Sequence, residues 1–194
     1  MNLQNVKLYG KAISIDDNGL VNLIGDDVEL HDCSLDIKVG AQSLDVQGLI
    51  RDSTLVSKSP LAGMSWLDVS FRNCTFIGVF KENEFGSLDG HSGSCESCDF
   101  SEAELDDCTF YGEFFDSHIF PLWPCLTISE PHLNFCEMMS AARGGAFEDE
   151  VGGIEFLDPS ARLIAYNSST LSLRAGVEVN DVHNFFKSFS FVKM

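Results

Sequence analysis

Cys95-Glu96-Ser97-Cys98 is the stretch whose residue types and spacing come nearest to a chemical motif. Two thiols held three positions apart can share a tetrahedral zinc ion or interconvert between dithiol and disulfide. Zinc needs two further ligands. Cys108, His91 and His118 are the only candidates nearby, and no second Cys-x-x-Cys or paired histidine follows. The strand–helix–strand setting of redox Cys-x-x-Cys motifs is also missing. The five histidines (His31, His91, His118, His132 and His183) belong to no recognisable nucleophile, metal or hydrolase motif. Asp106 and Asp107, with Glu102 and Glu104 close by, are a carboxylate grouping of the kind glycosidases use. Adjacent residues on a strand point to opposite faces, so such a pair rarely forms one site. The expectation is a chain that is not an enzyme and holds no metal or cofactor.

The second feature is charge. Thirty acidic residues against 12 basic ones leave a formal net charge of −18. No Lys or Arg occurs anywhere from Glu82 to Ala142, a stretch dense in Asp and Glu. Nucleic-acid binding needs a basic footprint, so direct binding to DNA or RNA is not expected. An acidic surface attracts a basic protein. Glu96, Asp99, Glu102, Glu104, Asp106, Asp107, Glu113 and Asp116 are the residues expected to project outward and meet such a partner. The plainer alternative is a solvated acidic face that only maintains solubility.

The elements that would position these groups follow from an unusual period. Phe100, Leu105, Phe110, Phe115 and Phe120 stand five residues apart, and Cys98, Ala103 and Cys108 each precede a large residue by two. A helix asks for a period of about 3.6 residues and a flat strand for about 2. A period of five suits a square coil whose sides each send one small and one large residue inward. A four-residue block also recurs. It reads Asp32-Cys33-Ser34-Leu35, Asp52-Ser53-Thr54-Leu55, Asn73-Cys74-Thr75-Phe76, Ser97-Cys98-Asp99-Phe100 and Asp107-Cys108-Thr109-Phe110. Its spacing is near 20 residues, one circuit, except for the final half-circuit. The first position is polar and suits a turn, the second is small enough for an inner corner, and the fourth stacks on its equivalent one rung away. A β-sandwich with coincidental Cys-x-Phe pairs is the competing reading.

These blocks, above all Cys98-Asp99-Phe100-Ser101-Glu102-Ala103-Glu104-Leu105 and Cys108-Thr109-Phe110-Tyr111-Gly112, resemble pentapeptide repeats. The resemblance is specific over 98 to 120, looser over 20 to 97, and does not cover 121 to 194. It implies a mainly β protein built on a right-handed parallel β-helix, irregular on its N-terminal side. Some members of that family mimic duplex DNA and modulate DNA gyrase, which gives one alternative function. A weaker resemblance, in charge and architecture, is to immunity proteins of bacterial polymorphic toxin systems. It implies a non-enzymatic inhibitor that blocks a basic cognate toxin.

Residues 1–124 are expected to form the β-helix and 125–194 a mixed segment whose helices pack on it or cap it. Strands are expected around Val28–Leu30, Leu44–Val46 and Trp66–Phe71. Val56–Gly63 and Gly86–Gly93 read as loops. A helix is expected from Pro131 to Arg143, ending at Gly144-Gly145, then an acidic, Gly-rich loop over 146–160. Short strands or turns are expected at Ile154–Leu157 and Leu163–Tyr166. A last helix is expected to be capped by Asn180, with Val182, Phe185, Phe186 and Phe189 on one face. That face either meets the chain's own core or builds a homodimer seam. Met1–Leu20 carries Lys7, Lys11, Asp16 and Asp17 and no long apolar run, so neither a signal peptide nor a membrane anchor is expected. Seven cysteines, most of them at core positions, fit reduced thiols in a cytoplasmic protein.

Overall fold

A computed structural model describes residues 1–17, 19–113 and 115–194, with Phe115 described in its backbone only. The inward place expected of the Phe115 side chain lies outside the described residues. The chain winds as a β-solenoid. The first coil holds β1 (Asn2–Leu3), β2 (Lys7–Tyr9) and β3 (Ala12–Ile15), and the second β4 (Asn22–Ile24), β5 (Glu29–His31) and β6 (Ser34–Ile37). The third holds β7 (Leu44–Val46), β8 (Gly48–Arg51) and β9 (Thr54–Ala62), and the fourth β10 (Val69–Arg72) and β11 (Thr75–Lys81). The fifth holds β12 (Glu84–Gly86), β13 (Ser94–Glu96) and β14 (Asp99–Asp106), and leads into β15 (Cys108–Tyr111). Equivalent strands pair in parallel, giving one face ordered β13-β10-β8-β5-β2 and another ordered β14-β11-β9-β6-β3. Each coil thus satisfies its backbone groups against the coil before it.

The recurring block explains the corners. Asp32, Asp52, Asn73, Ser97 and Asp107 all adopt the left-handed conformation with φ of 51–52°, and Gly10, with φ of 60°, is also left-handed one coil earlier. Short polar side chains tolerate this region better than branched ones. The turn swings the second block position inward, where Cys33, Ser53, Cys74 and Cys98 are all buried. Their Sγ and Oγ atoms donate to corner carbonyls, as Ser53 Oγ does to Arg51 O at 2.7 Å. The fourth position builds a second ladder of Leu35, Leu55, Phe76, Phe100 and Phe120. The Phe76 and Phe100 rings stack at 4.5 Å, and those of Phe100 and Phe120 at 5.8 Å. Glu82 and Asp107 turn another corner, with Asn83 and Cys108 inward and Phe85 stacked on Phe110 at 5.1 Å.

Asp32 is exposed at its corner, so substitution there leaves the buried core intact. Asp32→Gly is expected to keep or raise stability by up to about 1 kcal/mol, and Asp32→Val to lower it by about 1–2 kcal/mol. Urea midpoints of the two variants check this; equal midpoints would show that the left-handed corner does not constrain residue choice.

Two expectations change in this region. Val56–Gly63 is not a loop beyond the strand: β9 runs through Ala62, with Ser57 and Leu61 buried. Only Lys58, Ser59 and Pro60 swell outward, where the register against β11 shifts. The coil also shows three sheets and not four equal sides, because β9, β11 and β14 are long. Gly78, with φ of +106°, lies at the shift, and a Cβ there would meet Ser57 O at 2.3 Å.

The C-terminal segment contains β16 (Cys125–Ser129), α1 (Pro131–Ala142), α2 (Glu148–Gly152), β17 (Ala161–Asn167), α3 (Ser168–Ala175), α4 (Val179–Phe186) and β18 (Val192–Lys193). It joins the solenoid by extending a sheet. β17 pairs antiparallel with β15, β16 with β17, and β18 with β16. The outer edge of β15 is thereby covered, which removes one template for aggregation. The helices pack against a second core of Leu126, Ile128, Met138, Tyr166, Leu171 and Val182. Val182, Phe186 and Phe189 are buried there, so the apolar stripe meets the chain's own core. Residues 146–160 are not a simple loop. Glu148, Asp149 and Glu150 form the first turn of α2, where acidic groups favour a helix N-terminus. The cap of α4 is Glu178 and not Asn180: Glu178 and Asp181 form a reciprocal capping box. Among the described residues, no helix is long and apolar enough to cross a membrane.

Candidate binding surface at the end of the solenoid

β14 is the last strand of its face. Its inner side pairs with β11, with one extra residue where Thr75–Ile77 opposes Asp99–Glu102. Bulges of this kind re-aim side chains at sheet edges. On the outer side, Ile119 forms a bridge with Asp99, donating to Cys98 O at 3.0 Å and accepting from Phe100 N at 2.7 Å. Past that bridge, Ser101–Glu104 line an open cleft of about 740 Å³ with Phe120, Leu122, Trp123 and Asn167. Ile119 and Leu122 stay 58% and 76% exposed at its rim. The site is a strand edge with carboxylates above it and apolar side chains beside it.

The eight acids expected to face a partner divide sharply. Glu102, Glu104, Glu113 and Asp116 are exposed, while Glu96, Asp99 and Asp107 are half-buried. Asp106 does not project outward, and that expectation is corrected: it is only 3% exposed. Its carboxylate accepts from the Asn167 backbone N–H at 3.2 Å and the Thr170 hydroxyl at 2.9 Å, with Lys81 Nζ at 3.5 Å. The arrival of β17 and α3 over this corner buries it. Asp107 is held by Arg174 through two contacts of 2.9 and 3.2 Å. Glu96 faces Arg72 at 3.4 Å. Glu104 accepts from Asn167 Nδ2 at 3.0 Å but remains exposed. The stretch without basic residues is therefore partly neutralised by cations from elsewhere in the chain. Comparison with family models, with curated proteins and with solved structures gives no match. The geometry of the chain itself carries the functional reading.

The histidines take structural contacts. His31 stacks on Tyr9 at 4.7 Å, His183 packs edge-on against Trp123 at 4.9 Å, and His91 Nδ1 lies 3.2 Å from Asp68. His132 Nε2 lies 3.0 Å from Asp158 O. His118 occupies the small-residue position of the five-residue phase, and its Nδ1 accepts from Cys98 N at 3.1 Å. Burial among phenylalanine rings lowers its pKa to about 4, so the ring is neutral with its proton on Nε2. The Cys95/Cys98 pair does acquire a third group, His118, one of the three candidates near it in the sequence. Both sulfurs and a His118 ring nitrogen lie within 4.8 Å of one another. Six cysteines are buried and free, and Cys136 is exposed.

Sequence reasoning missed Lys81, Arg174, Asn167 and Thr170, which all act on acids far away in the chain. It also missed the cleft side of Ile119, Leu122 and Trp123. The prolines at 121 and 124 were the one signal available, since they mark where the ladder ends.

Proposed function

We propose that this chain is a non-enzymatic protein-binding module that holds a basic partner at the C-terminal end of its solenoid. The proposal extends to an immunity-type inhibitor that blocks a positively charged cognate toxin. One observation carries the reading: Glu102 and Glu104 stand exposed on a strand edge that borders an apolar cleft. An extended basic segment of the partner can add to that edge as a further strand, with alternate side chains in the cleft and Lys or Arg beside the carboxylates. The coil fixes the edge in place, so little ordering cost remains for this side of the complex. The alternative from the pentapeptide-repeat resemblance, a DNA-mimicking modulator of gyrase, has less support. Arg72 and Arg174 interrupt the run of negative charge that phosphate mimicry requires.

The test is affinity capture of partners from the source cells, identified by mass spectrometry, with wild type and the double variant Glu102→Lys/Glu104→Lys. The reversal is expected to weaken the captured basic partner about tenfold or more, with a larger loss at low ionic strength. An unchanged affinity would remove the β14 edge from the account.

A further inference from the structure

Two interior ladders break on adjacent rungs. One inward position runs Leu8, Leu30, Ile50 and Phe71 on successive coils, set by the strand register, and then becomes Cys95. The small corner position runs Cys33, Ser53, Cys74 and Cys98, and on the next rung becomes His118. The equivalence of His118 is fixed by backbone contacts. Ile119 pairs with Asp99, and Cys98 N–H donates to His118 Nδ1 as Cys33 N–H donates to Ser53 Oγ. A large apolar residue thus gives way to a thiol and a small residue to an imidazole, and both changes fall beside Cys98. The three ligand atoms lie within 4.8 Å of one another.

We propose that Cys95, Cys98 and His118 form a three-ligand zinc site whose fourth position is taken by water. Two thiolates and one imidazole, with one position left open, are a donor set that suits zinc. With bond lengths of about 2.3 Å to sulfur and 2.0 Å to nitrogen, tetrahedral ligands stand roughly 3.5–3.8 Å apart. The observed spread of up to 4.8 Å therefore needs to contract by at most about 1.3 Å. Binding breaks the S–H bonds of the ligating thiols and releases their protons to solvent. At His118 the metal takes the Nδ1 lone pair in place of the Cys98 N–H. A cavity of about 340 Å³, lined by Ser87, Ser94, Cys95, Tyr111, Gly112 and Glu113, gives a path from the surface to Cys95. The site would clamp the last two rungs together directly behind the β14 edge.

The experiment uses reduced full-length protein carrying Cys136→Ser, which removes the exposed thiol, and titrates it with cobalt(II) and then zinc(II). One equivalent of cobalt is expected to give the sulfur-to-metal charge-transfer band and the visible absorption of a tetrahedral thiolate site, and zinc is expected to displace it. Cys95→Ser is expected to weaken binding by more than the roughly 10–100-fold typical of an outer-shell change. His118→Asn keeps an acceptor for Cys98 N–H, so it is expected to stay folded by circular dichroism while binding weakens at least tenfold. The competing account is that Cys95 is small only to make room for the His118 ring. Folded protein that takes up no stoichiometric cobalt or zinc, or binding unchanged in Cys95→Ser, would establish that account and end the proposal.

Discussion

Phe100→Ala is expected to destabilise the protein by about 3–5 kcal/mol, the cost of truncating a fully buried phenylalanine. Phe100 is 0% exposed and joins both stacks of the interior. It stacks face to face on Phe76 at 4.5 Å and Phe120 at 5.8 Å, and meets Phe85 and Phe110 edge-on at 5.3 and 5.2 Å. Removing the ring opens a cavity that its neighbours cannot fill, because each is held by its own rung. A loss of this size is a large share of the roughly 5–15 kcal/mol that stabilises a typical domain. Phe100→Leu, which keeps most of the volume and restores the residue type seen at Leu35 and Leu55, is expected to cost under about 1.5 kcal/mol. Urea unfolding followed by tryptophan fluorescence checks both, since Trp66 is buried in the same core. An alanine variant with a midpoint near wild type would mean that the stacked rings do not carry the stability of the coil.

The parts of this architecture that were legible in the sequence are those encoded within a few residues. A left-handed corner, a small inner residue and a stacked large residue occupy four consecutive positions, so the block from Ser97 to Phe100 announces its own geometry. The first coil was harder to see because Gly10-Lys11-Ala12-Ile13 fills the same corner with Lys11 at the small position, which is exposed there. The α2 helix carried a readable signal, three acids at a helix start, masked by the surrounding glycines. The fate of the acids was not legible, because it depends on partners remote in sequence. Asp107 looked like a free surface charge until α3 brought Arg174 to it across 67 positions. The metal-type cluster shows the same limit. Cys95 and Cys98 are neighbours in the chain, but His118 joins them only through the register of the next rung.

Asp106→Ala is expected to loosen the C-terminal segment from the solenoid and to cost about 2–4 kcal/mol, because the buried Asn167 N–H and the half-buried Thr170 hydroxyl lose their acceptor at roughly 1–3 kcal/mol each. Asp106 and Asp107 hold opposite ends of α3. Asp106 sits at the N-terminal turn, against Asn167 N–H and the Thr170 hydroxyl, and Asp107 binds Arg174 in the last turn. Asp106 complements the helix dipole at the N-terminus, and at the C-terminus it is Arg174 that does so, with Asp107 holding Arg174 in place. Burial decides which matters more. Asp106 is almost wholly enclosed, whereas the side chains of Asp107 and Arg174 are 27% and 36% exposed. Asp107→Ala is therefore expected to cost under about 1 kcal/mol, the usual worth of a solvent-screened pair. Asp106→Asn, which keeps a neutral acceptor, should fall between the two. Hydrogen exchange separates a local effect from a global one: in Asp106→Ala the amides of β17 and α3 should exchange faster while those of β5, β8 and β10 stay protected. Equal loss of protection in both regions would mean that the corner stabilises the whole chain and not the junction. No loss in either would mean that the buried carboxylate is replaceable, and that the solenoid and the C-terminal sheet are joined by the β15–β17 ladder alone.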